Sequence, residues 1–270
     1  MSSTTTTTSL YGDATFCVIT GASQGIGQTL AIHLAKKLGP KSVMVLTARN
    51  ALGLEETKFE VNKVVPSLEV RCISGDLSDK VQLPQVCDEC FAFVDPSVYK
   101  HALLVQNAGT LGDLVYLRDL HHKVDQIQSN MLVNVTAAIA LTAKFLVTFK
   151  KSDTLQRSVI NITSIAGIKP FKSWGLYCTM KAAREMMFKV LAEEEPDMRV
   201  LNWSPGPVAT QMNVTVTEHT ADEETKKMMK DTQEKKMVLT TDQTCEMLIK
   251  VLDENTFKSG DHVDYFDVKK

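Results

Sequence analysis

The sequence predicts a single α/β domain with a doubly wound fold, in which a parallel sheet of about seven strands carries helices on both faces. Short apolar runs rich in β-branched residues recur along the chain, and most segments between them are long enough to be helices. Such an alternation is typical of a parallel sheet that is buried on both faces. No internal repeat or Gly/Ser linker interrupts the 270 residues, so we expect one domain over residues 14–270.

The strands are predicted from continuous apolar runs bounded by polar or turn residues. They are Thr15–Thr20, Ser42–Ala48, Leu68–Ser74, Ala102–Gln106, Arg157–Thr163, Arg199–Ser204 and His262–Phe266. After the first strand, apolar residues at helical spacing run from Ile26 to Leu38 and end at the stop signal Gly39-Pro40. Residues 206–241 are the least regular part of the chain, polar and rich in Thr, Lys and Met, and are predicted to form a substrate lid.

Charge and hydropathy argue against several kinds of partner. The formal net charge is −2 and the basic residues are dispersed, so nucleic acid and anionic membranes are not expected as partners. No apolar run approaches the ~20 residues that a membrane span needs. Residues 1–13 lack the basic and apolar regions of a signal peptide, and their Ser/Thr run predicts a disordered tail. We therefore expect a cytoplasmic protein.

The cysteines and histidines do not form a metal-binding pattern. Without a secretory signal, the six scattered cysteines should be reduced thiols. Cys87 and Cys90 have the CxxC spacing, but no second pair or His cluster accompanies them. We predict no metal site.

A glycine-rich turn follows the first strand and opens the first helix, with the sequence Thr20-Gly21-Ala22-Ser23-Gln24-Gly25-Ile26-Gly27. Glycines in this position permit a tight turn and let backbone N–H groups approach a pyrophosphate at the positive end of the helix. The spacing is GxxxGxG, and the strand–turn–helix context is the one that dinucleotide binding requires. The fold class is therefore predicted to be of the Rossmann type.

The ends of the next strands supply further candidate cofactor residues. An acidic residue after the second strand usually holds the ribose of NAD, but this chain has Arg49-Asn50 there, and a guanidinium suits the 2′-phosphate of NADP(H). Asp76-Leu77 and Asn107-Ala108-Gly109 follow the third and fourth strands. Arg49 could also be a solvated loop residue, and Asp76 could be a helix N-cap or turn residue.

Tyr177 and Lys181 stand four residues apart in a largely apolar segment that is predicted to be helical. Residues at this spacing lie on one face of a helix, ~6 Å apart. Taken alone, the pair could be a rim tyrosine beside a solvated lysine. A lysine cation at this distance would lower the pKa of the tyrosine, which suits a residue that delivers a proton to a carbonyl oxygen.

These motifs occur in the order typical of the short-chain dehydrogenase/reductase family, which the chain resembles over residues 14–267. The motifs are TGASQGIG, Asp76-Leu77, Asn107-Ala108-Gly109, Asn134, Ser164 and Tyr177-x-x-x-Lys181. The resemblance implies an NADP(H)-dependent oxidoreductase. Within the family, LTARN, NAGTLGD and FKSGDHVDYFD are similar to stretches of the members that reduce pterin side-chain ketones in tetrahydrobiopterin synthesis. Gln24 is a departure, since many NADP-using relatives carry a basic residue there.

The resemblance also implies roles for individual residues. Tyr177 would donate the proton, Lys181 would hydrogen-bond the nicotinamide ribose, and Ser164 would hydrogen-bond the substrate carbonyl. Asn134 would hold a water that links the lysine to solvent. Further contacts are implied with the cofactor for Val208, Thr210 and Met212, and with the substrate for Ile165 and Gly206.

Asp264, in the last predicted strand, is the candidate that bears on substrate choice. In the family members that reduce pterins, the matching Asp anchors the pterin ring, whose amino and ring N–H groups form a donor pair that a carboxylate accepts bidentately. Asp264 could equally be an edge or surface residue. Phe171 and Trp174 could add apolar walls or belong to the core.

The family resemblance suggests a homodimer joined through long helices that begin near Gln128 and Tyr177. Met186, Met187 and Val190 give the second helix more apolar face than packing on one side of a sheet requires.

Three functions are compatible with these features. The leading hypothesis is an NADPH-dependent reductase of pterin side-chain ketones. The second is a reductase with the same chemistry and a different dicarbonyl or quinone substrate. The third is a non-catalytic NADP-binding regulator, against which the complete Ser164, Tyr177 and Lys181 set argues.

Overall fold

The computed structural model describes residues 12–268, so residues 1–11 of the predicted tail lie outside it. Its strands are β1 (Thr15–Thr20), β2 (Val43–Ala48), β3 (Glu69–Ser74), β4 (His101–Gln106), β5 (Gln156–Ile162), β6 (Arg199–Ser204) and β7 (His262–Asp264). They form one sheet in the order β3-β2-β1-β4-β5-β6-β7, and every neighbouring pair is parallel. The predicted fold class is confirmed, because the first six strands have the order of a Rossmann sheet.

Helices cover both faces of the sheet. The α-helices of the described residues are α1 (Gly25–Ala35), α2 (Ala51–Val64), α3 (Gln82–Cys90), α4 (Val124–Met131), α5 (Ala137–Thr148), α6 (Gly175–Glu194), α7 (Gln211–His219), α8 (Glu223–Glu234), α9 (Thr241–Glu254) and α10 (Tyr265–Val268). One apolar core joins α1, α2 and α9 to the sheet, and a second core joins α3, α5 and α6 to its other face.

The two cores explain why the strands read as continuous apolar runs. Every residue of β1 is buried. Cys17 and Ile19 pack into the core of α1, whereas Phe16 and Val18 pack into the core of α6. Successive side chains of a strand point to opposite faces, so a strand covered on both faces needs apolar residues at every position.

Residues 206–241 differ from the prediction of an irregular segment, because α7 and α8 occupy most of them. Both helices are largely polar, and a few contacts hold them in place. Asp222 caps α8 by accepting from the Thr225 N–H at 2.9 Å, and the Trp174 indole donates to the Thr220 hydroxyl at 3.0 Å. Val216 belongs to the same apolar cluster as Trp174. Tertiary contacts and an N-cap thus stabilise two helices that the hydrophobic periodicity of the sequence did not predict.

The last strand is shorter than predicted, and its end is set by a local hydrogen bond. The Asp264 carboxylate accepts from the backbone N–H of Phe266 at 3.0 Å, and α10 begins at Tyr265. This side-chain-to-backbone contact offers the chain an alternative to the strand ladder.

One helical segment contradicts the expectation that no run is apolar enough to span a membrane. Residues Val124–Thr148 form a 25-residue helix with a mean hydropathy of 1.7 over its most apolar window. By length and composition alone this helix could cross a membrane. Core helices pass the same test, and here Leu141 and Phe145 pack into the core on one face of the sheet.

Candidate active site

The carboxyl ends of the parallel strands meet at one edge of the sheet and border a cavity of about 1140 Å³. This volume exceeds the range of roughly 300–1,000 Å³ that is usual for one small ligand. Most of the predicted site residues line it: Gly21, Ser23, Gln24, Gly25, Ile26, Arg49, Asn50, Asp76, Leu77, Asn107, Ser164, Ile165, Tyr177, Lys181, Gly206, Val208, Thr210, Met212 and Asp264. Ala22, Gly27 and Asn134 are buried and are not among the lining residues.

The glycine turn has the backbone geometry of a phosphate-binding site. Gly21 and Gly25 have φ values of +66° and +58°, which favour glycine. At Gly27 a Cβ atom would lie 2.3 Å from the Gly21 carbonyl oxygen, so this glycine permits close packing of the turn against α1. No side chain caps α1, and its first turn holds no acidic residue. The helix therefore presents a positive terminus to the cavity that fits an anionic cofactor.

Asn107 joins two turns at the cavity floor. Its side-chain amide donates to the carbonyl oxygens of Thr20 and Gly21 at 2.9 and 3.0 Å. In return, the Thr20 hydroxyl accepts from the backbone N–H groups of Asn107 and Ala108. The side chain of this predicted cofactor residue therefore fixes the shape of the floor.

The residues predicted to hold the ribose end of a cofactor lie at the rim. The Arg49 side chain is 67% exposed, and its Nη1 lies 3.9 Å from Asp76 Oδ2. Asp76 Oδ1 accepts from the backbone and hydroxyl of Ser78, which is the turn role left open above. Asn50 caps α2 by accepting from the Gly53 N–H at 3.1 Å. Among Arg49, Asn50 and Asp76, Arg49 is therefore the residue whose positive charge could bind a phosphate.

α6 and the end of β5 bring Tyr177, Lys181 and Ser164 together at the cavity wall. Tyr177 and Lys181 are both buried on one face of α6, and Lys181 Nζ lies 5.7 Å from the centre of the Tyr177 ring. Lys181 donates to the Ile162 carbonyl oxygen at 2.8 Å. The Ser164 hydroxyl lies near enough to the Tyr177 hydroxyl to lower the pKa of Tyr177. A carbonyl oxygen beside these two hydroxyl groups would meet two possible hydrogen-bond donors.

The electrostatics of this site differ from the sequence-based expectation for Lys181. Burial raises the pKa of Tyr177 to about 12, and the groups that lower it are the Ser164 hydroxyl and the Arg184 guanidinium. Burial also lowers the pKa of Lys181 well below its usual value, and nearby Arg184 lowers it further. Arg184 is therefore a cation that favours the ionised phenol, a contribution that the spacing of Tyr177 and Lys181 did not predict.

Asn134 lies in a π-helical turn, Leu132–Thr136, between α4 and α5. Its amide oxygen accepts from the Thr110 N–H at 3.0 Å, and its amide nitrogen donates to the Thr110 hydroxyl and the Asn130 carbonyl oxygen. Such π turns inside helices are frequent at functional sites. Here the turn fixes the loop that follows Gly109 against the helix.

Two buried charged residues near the site, Arg184 and Glu185, and the partly buried His262 were not predicted from the sequence. Arg184 is 1% exposed and donates to three oxygens, those of the Asn161 side chain and of the Gln106 and Ala108 backbone. The Glu185 carboxylate accepts from His262 Nδ1 at 2.7 Å. The sequence does contain one indication of Arg184. It follows Tyr177 and Lys181 at the spacing i, i+4 and i+7, which places all three on one face of a helix.

Asp264 lines the cavity at the end of β7, the edge strand of the sheet, whereas the glycine turn follows β1 inside the sheet. Its Oδ2 accepts from the Ser204 hydroxyl at 2.6 Å, and its Oδ1 accepts from the Phe266 N–H. Each carboxylate oxygen has a second lone pair available, so both can still accept from a ligand. Gly206, with φ +72°, lies beside Phe266, and a Cβ there would lie 3.2 Å from the Phe266 ring.

Apolar side chains form the remaining walls. Phe171 and Trp174 stack with ring centres 4.9 Å apart, and both line the cavity. Four methionines from the 206–241 segment also line it: Met212, Met228, Met229 and Met237. Methionine side chains adapt to irregular apolar surfaces, so this wall could pack against aromatic rings of different shapes.

Within residues 12–268, no cluster of three His, Cys, Asp or Glu side chains is placed to hold a metal ion. Cys87 and Cys90 are free thiols on α3, away from the cavity. Burial raises the pKa of Cys87 to about 11 and that of Cys90 to about 12, which disfavours their reactive thiolate forms.

The Rossmann sheet, the uncapped helix terminus and the cavity at the strand ends are the features of a dinucleotide-binding protein. Residues 15–221 match the family model described as short chain dehydrogenase, and the chain belongs to this family.

Curated and solved relatives agree with this assignment. The chain is 38% identical to the sepiapterin reductase of Bos taurus over 94% of this chain and 95% of that protein. It is 29% identical to a benzil reductase ((S)-benzoin forming) of Bacillus cereus over 75% of this chain and 79% of that protein. A short chain dehydrogenase of Shigella flexneri in complex with NADP has the same fold, with a TM-score of 0.74, 24% identity and coverage of 95% and 98% of the two chains.

Proposed function

We propose that this chain is an NADPH-dependent reductase of pterin side-chain ketones, such as sepiapterin and 6-pyruvoyl-tetrahydropterin, and acts in tetrahydrobiopterin biosynthesis. The observation that carries the proposal is the placement of the Asp264 carboxylate in the same cavity as Ser164, Tyr177 and Lys181. The sepiapterin reductase relative, which matches nearly the full chain, supports the same substrate class.

The proposed chemistry divides the work between the cofactor and the chain. NADPH, when bound, supplies the hydride. Ser164 donates a hydrogen bond to the substrate carbonyl, and Tyr177 transfers its phenolic proton to that oxygen. Lys181 would hydrogen-bond the nicotinamide ribose, and Asn134 holds the loop at Thr110 in place through its two hydrogen bonds with that residue. The glycine turn from Gly21 to Gly27 holds the pyrophosphate.

Asp264 is proposed to recognise the pterin ring. A carboxylate at the cavity wall loses solvation when a ring covers it, and a pair of N–H donors compensates for that loss. A pterin carries such a pair, whereas a simple diketone carries none. Gly206 and Phe266 would lie against the ring, since no side chain separates the Gly206 backbone from the cavity.

The experiment that tests this function is a panel of carbonyl substrates with NADPH. We expect the highest kcat/KM for sepiapterin and lower values for diacetyl and benzil. Binding of NADPH with no turnover of any carbonyl would support a non-catalytic regulator instead.

A second candidate function is the reduction of other dicarbonyl compounds. The four methionines and the Phe171–Trp174 pair form an apolar wall that does not require a pterin. The benzil reductase relative acts, by its name, on a diketone with two aromatic rings. A kcat/KM for benzil above that for sepiapterin would favour this candidate.

Arg49 is proposed to select NADP(H) over NAD(H). We expect Arg49→Ala to weaken NADPH binding by about tenfold and to leave NADH binding within about twofold, because only NADPH carries the 2′-phosphate. The effect should lie at the lower end of the range for charged hydrogen bonds, because water screens an Arg49 side chain that is 67% exposed.

Titration of both cofactors by fluorescence measures the Arg49 effect, and Lys58→Ala, which removes a cation of the neighbouring α2, serves as the matched control. Equal losses for NADPH and NADH would place the discrimination elsewhere.

We further propose that the protein is a cytoplasmic homodimer joined through α4–α5 and α6. Ile139, Ala143 and Val147 form an exposed apolar stripe at helical spacing along α5, where Val147 is 64% exposed. Met186 and Val190 form a second exposed pair on α6, and Met186 is 62% exposed. Met187, in contrast, packs against the core. Exposed apolar stripes of this kind favour association.

Sedimentation at micromolar concentration tests the dimer. We expect a species of roughly twice the chain mass of 29.9 kDa, and we expect Val147→Glu to shift it to the monomer. Phe59→Glu, which places a charge at an exposed apolar residue of α2, is the control and should leave the dimer intact. A wild-type chain that sediments only as a monomer would contradict the proposal.

A further inference from the structure

Arg184 is a buried cation two helical turns after Tyr177 on α6. Its guanidinium lies at the carboxyl ends of β4 and β5. There Nε donates to Asn161 Oδ1 and Nη1 donates to the Ala108 carbonyl oxygen, each at 2.8 Å. Nη2 donates to the carbonyl oxygen of Gln106. The three contacts join α6 to the end of β4, to β5 and to the turn at residues 107–109.

This turn is the one that Asn107 ties to the glycine turn. Arg184 holds the carbonyl groups on either side of Asn107, and Asn107 in turn donates to the carbonyl oxygens of Thr20 and Gly21. Two sets of hydrogen bonds, joined by the backbone of residues 106–108, therefore connect the helix of the proposed acid to the proposed pyrophosphate site. A shift of the Arg184 fork would alter the distance between these two parts.

Arg184 also stands among the charged groups of the site. On α6 its neighbours are Tyr177, Lys181 and Glu185, and Glu185 is paired with His262 of β7. The residues that face Arg184 from β4 and β5 are neutral acceptors. The guanidinium lowers the pKa of Tyr177, as described above, and retains its own charge at neutral pH because the pKa of Arg184 is lowered by burial only to about 10.

We propose that Arg184 is a positioning residue for carbonyl reduction, whose guanidinium fork sets the turn at residues 107–109 against α6 and so aligns the proposed cofactor floor with Tyr177. The inference rests on the proposed reductase function. Reaction steps are sensitive to alignment, and a displacement of about 1 Å can lower a rate by roughly 100-fold. Substrate and cofactor binding depend less steeply on the same shift.

Arg184→Met removes the fork and the charge while keeping an unbranched side chain. We expect kcat per folded molecule to fall by about 10- to 100-fold, with the KM for the carbonyl and the Kd for NADPH within about threefold of wild type. The kinetic isotope effect with NADPH deuterated at the transferable position should rise, because hydride transfer becomes the slow step. Arg184→Lys keeps the charge but cannot reach all three acceptors together, so its kcat should lie between those of wild type and Arg184→Met.

Arg157→Met is the matched control, because Arg157 is equally buried at the other end of β5, where it contacts the Phe149 carbonyl, Glu195 and Asp197. This variant should lose thermal stability but keep the kcat and isotope effect of wild type. The same pattern in Arg184→Met would overturn the inference and leave Arg184 as a structural residue. If Arg184→Met does not fold, Arg184→Lys is measured in its place. A wild-type kcat and isotope effect in Arg184→Lys would overturn the inference.

The failure of the underlying function would look different. A wild-type enzyme that reduces no carbonyl substrate, or a Tyr177→Phe variant as active as wild type, would contradict the proposed reductase itself. An active wild-type enzyme that depends on Tyr177 but not on Arg184 would contradict only the inference on Arg184.

Discussion

Replacing Tyr177 by Phe should lower kcat for carbonyl reduction by a factor on the order of 10²–10⁴, the usual contribution of a positioned acid. The variant loses the phenolic proton, but it keeps the ring that packs against Trp174 with centres 6.0 Å apart. The Kd for NADPH should change little, because the proposed phosphate-binding turn lies between β1 and α1.

The elevated pKa of Tyr177 adds a pH dependence to this prediction. An acid must be protonated to act, and a group with a pKa of about 12 remains protonated through neutral and moderately alkaline pH. Reduction should therefore show no loss of rate from Tyr177 as the pH rises, until the pH approaches that value.

Tyr116→Phe is the matched control for the loss of a tyrosine hydroxyl. The Tyr116 hydroxyl donates to Asp222 at 2.8 Å near the start of α8, and Tyr116 is not among the residues that line the cavity. Steady-state kinetics should show near-normal turnover for this control. Near-normal turnover for Tyr177→Phe on its best substrate would defeat the proposed mechanism.

Replacing Asp264 by Asn should lower kcat/KM for pterin substrates by about 30-fold or more, which corresponds to roughly 2 kcal/mol for a charge-assisted hydrogen-bond pair. Asparagine keeps the size of the side chain but replaces one acceptor with a donor. The Ser204 hydroxyl can rotate to accept from the new amide, so the local fold should persist.

Small diketones should be almost unaffected by Asp264→Asn, since Ser164, Tyr177 and Lys181 are unchanged. The measurement is kcat/KM for sepiapterin and for diacetyl, with Asp261→Asn as a control at an exposed carboxylate just before β7. Equal losses for the two substrates would mean that Asp264 supports the fold. The absence of any loss would remove Asp264 from pterin recognition.

The sheet could be predicted from the sequence because burial on both faces demands continuous apolar runs. The strands β1 to β6 begin and end within one residue of their predicted bounds. The helices α7 and α8 could not be predicted in this way, because polar residues dominate them and contacts with Trp174 and a cap at Asp222 hold them. Tertiary contacts of this kind leave no periodic signal.

The same distinction applies to the candidate site. The glycine turn and the pair of Tyr177 and Lys181 could be predicted from residue spacing, since each lies within a short continuous stretch of the chain. Arg184 was missed because its three acceptors come from β4, β5 and a loop, which only the folded sheet brings together. For the same reason, the effect of burial on the pKa of Lys181 could not be read from its distance to Tyr177.

Transfer of deuterium from NADPH to sepiapterin tests the central claim most directly. The wild-type protein would be incubated with sepiapterin and NADPH deuterated at the transferable position, and the product would be analysed by mass spectrometry. The proposed function predicts a reduced pterin that carries one deuterium on its side-chain carbon, formed in proportion to the NADPH consumed. A sepiapterin recovered unchanged and free of deuterium, from a protein that binds NADPH, would contradict it.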